Sequence, residues 1–485
     1  MNYKPTIGME VHVELSTKSK MFCGCQVDFG GNPNTRCCPV CIGLPGALPV
    51  VNKTAINYML KAALALNCKI NYENYFHRKN YYYPDLPKNF QTSQYDCPIG
   101  YNGYLEIKSE DKVKKIAILR VHMEEDTGKL LHIEGGKSLV DYNRSGTPLM
   151  EIVTQVPAPE GYDIIESADE AREYVKTLRQ LLVYLNVSDC KMEEGSMRCE
   201  PNISVRPENS EKLGTKTELK NLNSFRVVHL STDYEIKRQI RDIEDGIKIV
   251  QETRRWDEGN QKTITMRSKE SAQEYRYFPE PDLVPIKLSN EYVEEIRNTI
   301  PELPIEKSLR FINEYDIPTQ DADVIVDDPE MANFFDDAAK KYNNPKLIAS
   351  WILTEMLKLI NISEISFSNI QITPEKLVSL LKYIEDGKIN RNTGKIVFAE
   401  MFETGKSAKD IIKERGLEQV SDTSAIEETV NKILSNSSKE VERYLSGEIK
   451  LIGFFTGQIM KEMKGKANPA IVSQLLKEKL GEPKI

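Results

Sequence analysis

Cys23-Gly24-Cys25 and Cys38-Pro39-Val40-Cys41 stand twelve residues apart, and two such pairs can close the tetrahedral four-thiolate site that zinc takes. A closed site of this kind is structural, because no coordination position remains for a substrate. Cys37 is a rival to Cys38, although the Cys-x-x-Cys spacing favours Cys38. Five of the nine cysteines fall within 19 residues and the total is odd, which reads as clustered reduced thiols holding metal rather than as a secreted disulfide framework. The bland alternative is a set of buried thiols, and Cys68, Cys97, Cys190 and Cys199 read that way.

A second set of groups is built from carboxylates, imidazoles and amides. Ile7, Met9, Val11 and Val13 alternate with Gly8, Glu10, His12 and Glu14, a period of two that means a strand with one apolar and one polar face. Leu119, Val121 and Met123 alternate in the same way with Arg120, His122 and Glu124, and this strand runs into Glu125-Asp126-Thr127-Gly128. Leu139 to Asn143 puts Asp141 and Asn143 on one face, and Glu151 follows the turn Gly146-Thr147-Pro148. Each strand alone reads as a solvated edge. Together they offer hard oxygen ligands that suit magnesium, which keeps water or nucleotide phosphate in its other positions. No Gly-x-x-x-x-Gly-Lys-Ser/Thr occurs, so a nucleotide here would be held otherwise than by a P-loop.

Further polar stretches exceed what composition requires. His77-Arg78-Lys79-Asn80-Tyr81-Tyr82-Tyr83-Pro84-Asp85-Leu86-Pro87-Lys88 mixes cations with aromatics, which can stack on a base and hold phosphate, or simply pack a loop. Lys191 to Cys199 leads to Asn202 and Arg206, and a strand bearing Lys216, Glu218 and Lys220 on one face leads to Asn221, Asn223 and Ser224. Arg254-Arg255-Trp256 and Tyr275-Arg276-Tyr277-Phe278 place arginine beside aromatics, which suits phosphate or carboxylate capture, though a surface salt bridge is the commoner fate. Residues 450–485 hold seven Lys against three Glu in a chain of formal charge −8, with Lys461, Lys464 and Lys466 beside turn residues. Local positive charge of this sort is what an RNA backbone needs, and a solvated helix end is the alternative.

The elements that must position these groups divide along the chain. At 485 residues, two to four domains are expected. The first ~290 residues read as mixed strand and helix, and the rest, rich in Lys, Glu, Ile and Leu, as helical. The prolines of 279–285, followed by Pro301 and Pro304, suggest a hinge, and Gly405-Lys406-Ser407 a second break. The expected domains are 1–292, 293–405 and 406–485. Ser167 and Glu170 form a capping box ahead of Ala171, Tyr174, Val175, Leu178, Leu181, Leu182 and Leu185, a core helix, and Ile348, Ile352, Met356 and Leu359 mark another. No apolar run approaches a membrane span and the start lacks a signal-peptide core, so a cytoplasmic protein is expected.

Taken in order, these motifs resemble the B subunit of the bacterial glutamyl/aspartyl-tRNA amidotransferases, the GatB family. The likeness is carried by Ile7 to Leu15, the knuckle with Gly43-Leu44-Pro45-Gly46-Ala47-Leu48-Pro49, Arg78 to Pro87 and His122 to Asp126. It continues in Arg144 to Glu151, Lys191 to Arg198, Glu218 to Phe225, Gln251 to Glu258, Tyr275 to Asp282 and the tail signature Lys464 to Pro469, so that it spans essentially the whole chain. The resemblance implies an α+β fold: a cradle-like domain with antiparallel sheets, then an all-α helical domain and a small all-α YqeY-like tail that binds tRNA.

It also implies a reaction: ATP and magnesium phosphorylate the side-chain carboxylate of misacylated Glu-tRNA(Gln) or Asp-tRNA(Asn), and ammonia displaces the phosphate. The ammonia should come from an amidase (glutaminase) partner, the A subunit, with a small C subunit completing a heterotrimer, because no Gly- and Ser-rich amidase signature is present here. By resemblance, Glu10, His12, Glu125 and Glu151 are assigned to magnesium, with Glu124 as rival to Glu125 because strand parity prefers it. Lys79 and Lys220 join Glu10, His12 and Glu125 as catalytic candidates. Arg78, Tyr82, Asn143, Arg198, Asn223 and Arg255 are candidate ATP or acyl-phosphate contacts, while Lys461, Lys464 and Lys466 are candidate tRNA contacts. The chain departs from the family pattern at Cys37, at Glu200-Pro201-Asn202 where Asp-Ala-Asn is expected, and at Thr456. The competing readings are a non-catalytic zinc-containing tRNA-binding scaffold and the archaeal-type paralogue with an asparaginase-like partner, whose usual inserted domain finds no room here.

Overall fold

The computed structural model describes residues 2–110, 112–268, 274–417, 423–463, 467 and 469–481. Two compact units divide at 303/304. The first is built on one sheet whose principal strands are β1 Tyr3–Glu14, β2 His77–Asn80, β3 Phe90–Ser93, β4 Gly100–Ser109, β5 Lys112–Glu125, β6 Pro148–Thr154, β7 Met197–Pro207, β8 Thr217–Lys220, β9 Glu252–Asp257 and β10 Lys262–Ser268. Their order is β10-β9-β8-β7-β1-β6-β5-β3-β2, with Phe278–Pro279 beyond β2 and β4 forming a hairpin with β5. Pairing is antiparallel as expected, except that β8 and β9 run parallel.

The alternation in β1 does what a period of two requires. Ile7, Met9, Val11 and Val13 are fully buried with Ile152, Val121 and Met123 from its neighbours, while Glu10, His12 and Glu14 stay on the other, partly open face. The apolar face is covered by helices. In α1, Ala168–Tyr184, the hydroxyl of Ser167 accepts from the Glu170 N–H, and the Glu170 carboxylate accepts from the N–H of Glu166, one residue ahead of the cap. Its apolar row is buried as the spacing demands. Helix α2, Phe225–Glu244, is capped by Ser224, and Asn221 at φ 61° turns the chain from β8 toward it.

Of the proline-rich stretch, residues 279–285 lie inside the first unit, and the boundary falls at its far end, before Pro304. Phe278–Pro279 pairs with β2 and Glu280 is held by Arg78, while Val293 and Ile296 lie in the first unit's core. The first unit therefore extends past 292 and ends at Leu303, immediately before Pro304. Pro304 opens a helix, where its missing N–H costs nothing.

Among the described residues the second unit contains helices and no strand. Ile348, Ile352 and Met356 are fully buried, but the next member of the row is Ile360 rather than Leu359. A π-turn over Ile352–Met356 explains it: the wider turn absorbs the drift that a four-residue spacing accumulates in a 3.6-residue helix. The break at Gly405 is a left-handed helix cap, and the next helix, Ala408–Arg415, buries Ile411 and Ile412. Farther on, Ile426, Val430, Phe455, Ile459, Val472 and Leu476 form a separate small core. No described helix is long and apolar enough to cross a membrane.

Candidate functional site

The polar face of the sheet draws its groups from five strands. Cross-strand partners β1–β6 and β6–β5 place His12 opposite Glu151 and Glu151 opposite His122, so that the three share a row, and β5 adds Glu124 two residues on. His12, Glu124 and Glu151 bring ligand atoms within 4.8 Å of one another. His122, fully buried, lies 2.9 Å from Glu151 Oε2 and 3.3 Å from Glu124 Oε1. Gln91 and Ser93 donate to the two oxygens of Glu124 at 3.0 and 2.8 Å. Burial by itself would raise the Glu124 and Glu151 carboxyls, but Lys79 with the imidazoles for the one, and His122 for the other, outweigh it and hold both below the usual range, Glu151 at about 2. Burial likewise opposes protonation of His122, yet the two carboxylates raise it to about 9.

A second group sits beside the first. Glu10, Glu200 and Glu218 also bring ligand atoms within 4.8 Å, from β1, β7 and β8. Lys220 reaches Glu200 at 2.5 Å and Glu218 at 3.2 Å, and Asn202 donates to Glu10 at 3.0 Å. Three carboxylates here face the ammonium of Lys220, with Lys216 acting more weakly on Glu10. Glu10 is accordingly raised, first by burial and then by Glu151, Glu200 and Glu218. Hard oxygen donors with unneutralised negative charge fit a divalent cation such as magnesium. Glu200, one methylene longer than the expected aspartate, still reaches this group.

The expected metal set is thus divided. Glu10 belongs to one group and His12 with Glu151 to the other, while Glu125 belongs to neither. Strand parity turns Glu125 to the opposite side of β5, where its carboxylate accepts from the Thr92 N–H at 2.9 Å and pairs with Lys88. Glu124 takes the place that parity gives it.

Several phosphate candidates are committed elsewhere. Arg78 forms a fork on Glu280 at 2.7 and 2.8 Å and reaches Asp282, which ties β2 to the chain after Phe278. Asn143 accepts from the Arg36 N–H and donates to the Asn32 carbonyl, so it shapes the cysteine loop. Arg198 pairs with Asp126 and lies 3.5 Å from Glu14. Tyr82 and Asn223 are exposed. Arg255, also exposed, is the cross-strand partner of Lys220, and Lys79 lies 5.1 Å from the Tyr275 ring with its ammonium raised by Glu124 against the effect of burial. Lys461 is an exposed helical residue; Lys464 and Lys466 lie outside the described residues.

The knuckle is assembled as the spacing predicts. Cys23, Cys25, Cys38 and Cys41 hold their sulfurs within 4.8 Å of one another and Cys37 is not among them, an arrangement compatible with structural zinc. Lys20, 1% exposed, donates to Cys41 Sγ at 3.6 Å and to the carbonyls of Arg36 and Tyr142. Its three N–H donors are satisfied and its charge faces the sulfurs. No spacing in the sequence marks this lysine.

Residues 5–294 match the GatB/GatE catalytic domain and residues 333–480 the GatB domain. The B subunit of the aspartyl/glutamyl-tRNA(Asn/Gln) amidotransferase of Carboxydothermus hydrogenoformans is 50% identical over 99% of both chains, and that of Persephonella marina 51% identical over 99% of this chain and all of its own. The same-named protein of Brevibacillus brevis is 49% identical over 99% of each. Matches of this extent leave one conclusion: the chain belongs to the GatB family, the B subunits of aspartyl/glutamyl-tRNA(Asn/Gln) amidotransferases.

Proposed function

We propose that the polar face of the first unit is a kinase and transamidase site acting on glutamate or aspartate esterified to the wrong tRNA. The observation that carries this is the pair of adjoining carboxylate groups, one rich in cations and one with negative charge to spare. A side-chain carboxylate is a poor electrophile, and transfer of the γ-phosphoryl of ATP to its oxygen, with ADP leaving, supplies a leaving group. Ammonia from an amidase partner then takes the acyl carbon and releases phosphate, giving Gln-tRNA(Gln) or Asn-tRNA(Asn). Glu10, Glu200 and Glu218, with His12, Glu124 and Glu151, would hold magnesium, whose role is to neutralise charge on the transferred phosphoryl group. Lys79 and Lys220 hold the acidic side chains in place and offer positive charge to the substrate carboxylate and phosphate. The second unit, with its basic end, binds tRNA, and the zinc knuckle is structural. The assembly is cytoplasmic and includes the A and C subunits.

Co-expression with amidase and small subunits, followed by addition of ATP, magnesium, glutamine and either Glu-tRNA or Asp-tRNA, tests this. Amide should form in step with ADP, and Glu10→Ala should abolish both while tRNA still binds. Binding of tRNA with no ADP formed would favour the scaffold reading instead.

A further inference from the structure

In β5 the buried apolar row changes parity: Ile116 and Ile118 are followed by Val121 and Met123, all 1% exposed or less. The pairing with β6 shows why. Val153 lies opposite Arg120 but Thr154 lies opposite Ile118, so Leu119 is an extra residue and the strand is bulged. Leu119 is 37% exposed and does not join the apolar row, and Arg120 emerges on the polar face two residues before His122. Without the bulge, the parity that buries Ile118 would turn Arg120 into the core.

Register then sets Arg120, Val153, Glu10 and Glu200 side by side on four adjacent strands, next to the row of His122, Glu151, His12 and Arg198. Adjacent strands are about 4.8 Å apart, so roughly 10 Å separates the backbones of Arg120 and Glu10, with only the short Val153 side chain in the row between them. The neighbouring cations are engaged: Arg198 and Arg144 with Asp126, Lys220 with Glu200 and Glu218. Arg120 is not. Its Nε is buried with no hydrogen-bond partner among the described residues, and none of their carboxylates pairs with its guanidinium. Its charge does reach Tyr277, which stacks on Tyr95 at 4.2 Å between ring centroids: burial raises the Tyr277 hydroxyl to about 12, with Lys79 and then Arg120 opposing.

We propose that Arg120 receives the side-chain carboxylate of the esterified amino acid and distinguishes this substrate from the amide product. The inference rests on the kinase and transamidase reading above and deepens it. A carboxylate brought to a face that already holds Glu10, Glu124, Glu151, Glu200 and Glu218 is repelled unless positive charge meets it. The uncommitted guanidinium supplies that charge as a planar fork, which matches a carboxylate through two parallel N–H···O bonds. The product amide is neutral and offers a single acceptor oxygen, so the same fork holds it less well and lets it leave. The bulge is what places this one arginine where the substrate's charge arrives.

In the heterotrimer without ATP, dissociation constants are measured for Glu-tRNA(Gln), Gln-tRNA(Gln) and uncharged tRNA(Gln), or for the Asp and Asn counterparts where the complex amidates those. The acid form should bind about tenfold more tightly than the amide form, a difference of about 1.4 kcal/mol. Arg120→Gln should erase that preference and leave the amide and uncharged forms unchanged, while Arg120→Lys keeps part of it. In turnover, Arg120→Gln should raise KM for the aminoacyl-tRNA about tenfold with KM for ATP unaltered. If Arg120→Gln fails to fold, Val153→Glu carries the test, since it sets a carboxylate opposite Arg120 and should erase the preference by occupying the guanidinium. A preference that survives in a folded variant overturns the inference, as does its absence from an unmodified complex that still forms ADP and amide. Equal weakening of all three tRNAs would make Arg120 a backbone contact, and a raised KM for ATP with the preference intact would place it on the phosphates; either overturns the inference and leaves the kinase reading standing. Failure of the unmodified complex to form ADP would strike the kinase reading itself.

Discussion

The cysteine knuckle and the carboxylate face are both ligand clusters, but they are built by different means. Four sulfurs come from 19 consecutive residues, on two loops that Asn143 and Lys20 brace. The six ligands of the two acidic groups come from positions 10 to 218, on five strands, and meet only because the sheet's register aligns them. A local cluster is specified by spacing. A distributed one is specified by strand parity, strand order and whatever buried groups hold the strands in register.

The contrast is sharpest under substitution. Cys41→Ser should abolish tight zinc binding outright, while Cys37→Ser, so close in sequence, should leave metal stoichiometry at one; metal analysis after chelation reads both. Loss of zinc from the Cys37 variant alone would mean that the sulfur set is assigned wrongly. On the sheet, Glu124→Gln should lower aminoacyl-tRNA-dependent ADP formation by about a hundredfold or more, because it removes a ligand, the carboxylate that acts most on Lys79 and one of the two that hold His122. The same change at Glu125, which faces Lys88 across the strand, should leave magnesium affinity intact. If the two variants lose magnesium equally, the parity assignment of the face is wrong. A smaller effect, about tenfold, is expected on zinc affinity in Lys20→Met, since it removes the cation beside Cys41 and its bonds to the Arg36 and Tyr142 carbonyls but no sulfur ligand.

That division also decides what is legible in the sequence. The knuckle, the polar faces of β1 and β5 and the core row of α1 can be read there because each obeys a local rule of spacing or period. Glu10, His12 and Glu151 stand out as candidates, but their partition into two groups does not, because nothing local states that β7 lies on one side of β1 and β6 on the other. Arg78 and Asn143 have the chemistry of phosphate ligands and are spent on Glu280 and on the cysteine loop, partners 202 and 111 residues away. The step from Leu359 to Ile360 needs a π-turn that no apolar pattern announces.

Glu235 shows most plainly what a distributed site needs. It lies on α2, fully buried, on no motif and in neither acidic group. Its carboxylate accepts from the hydroxyls of Thr217 and Thr263, both at 2.8 Å, and from Arg238 at 2.6 Å, so one side chain fastens β8 and β10 to the helix beneath them. Since β8 carries Glu218 and Lys220, Glu235 sets the edge of the Glu10 group without touching it. Burial would raise this carboxyl, but Arg238 and the hydrogen bonds outweigh it and hold it below its ordinary value. The sign follows: the folded state binds its proton less readily than the unfolded chain, so stability from Glu235 is fully present above the unfolded carboxyl value of about 4.3 and fades as pH falls through the lower folded one. Glu235→Gln should therefore cost about 3 kcal/mol at pH 7 by denaturant titration, with the gap from the unmodified protein narrowing below pH 4. A gap that stays constant down to acid would mean that Glu235 contributes shape and hydrogen bonds, not charge, to the register on which the Glu10 group depends.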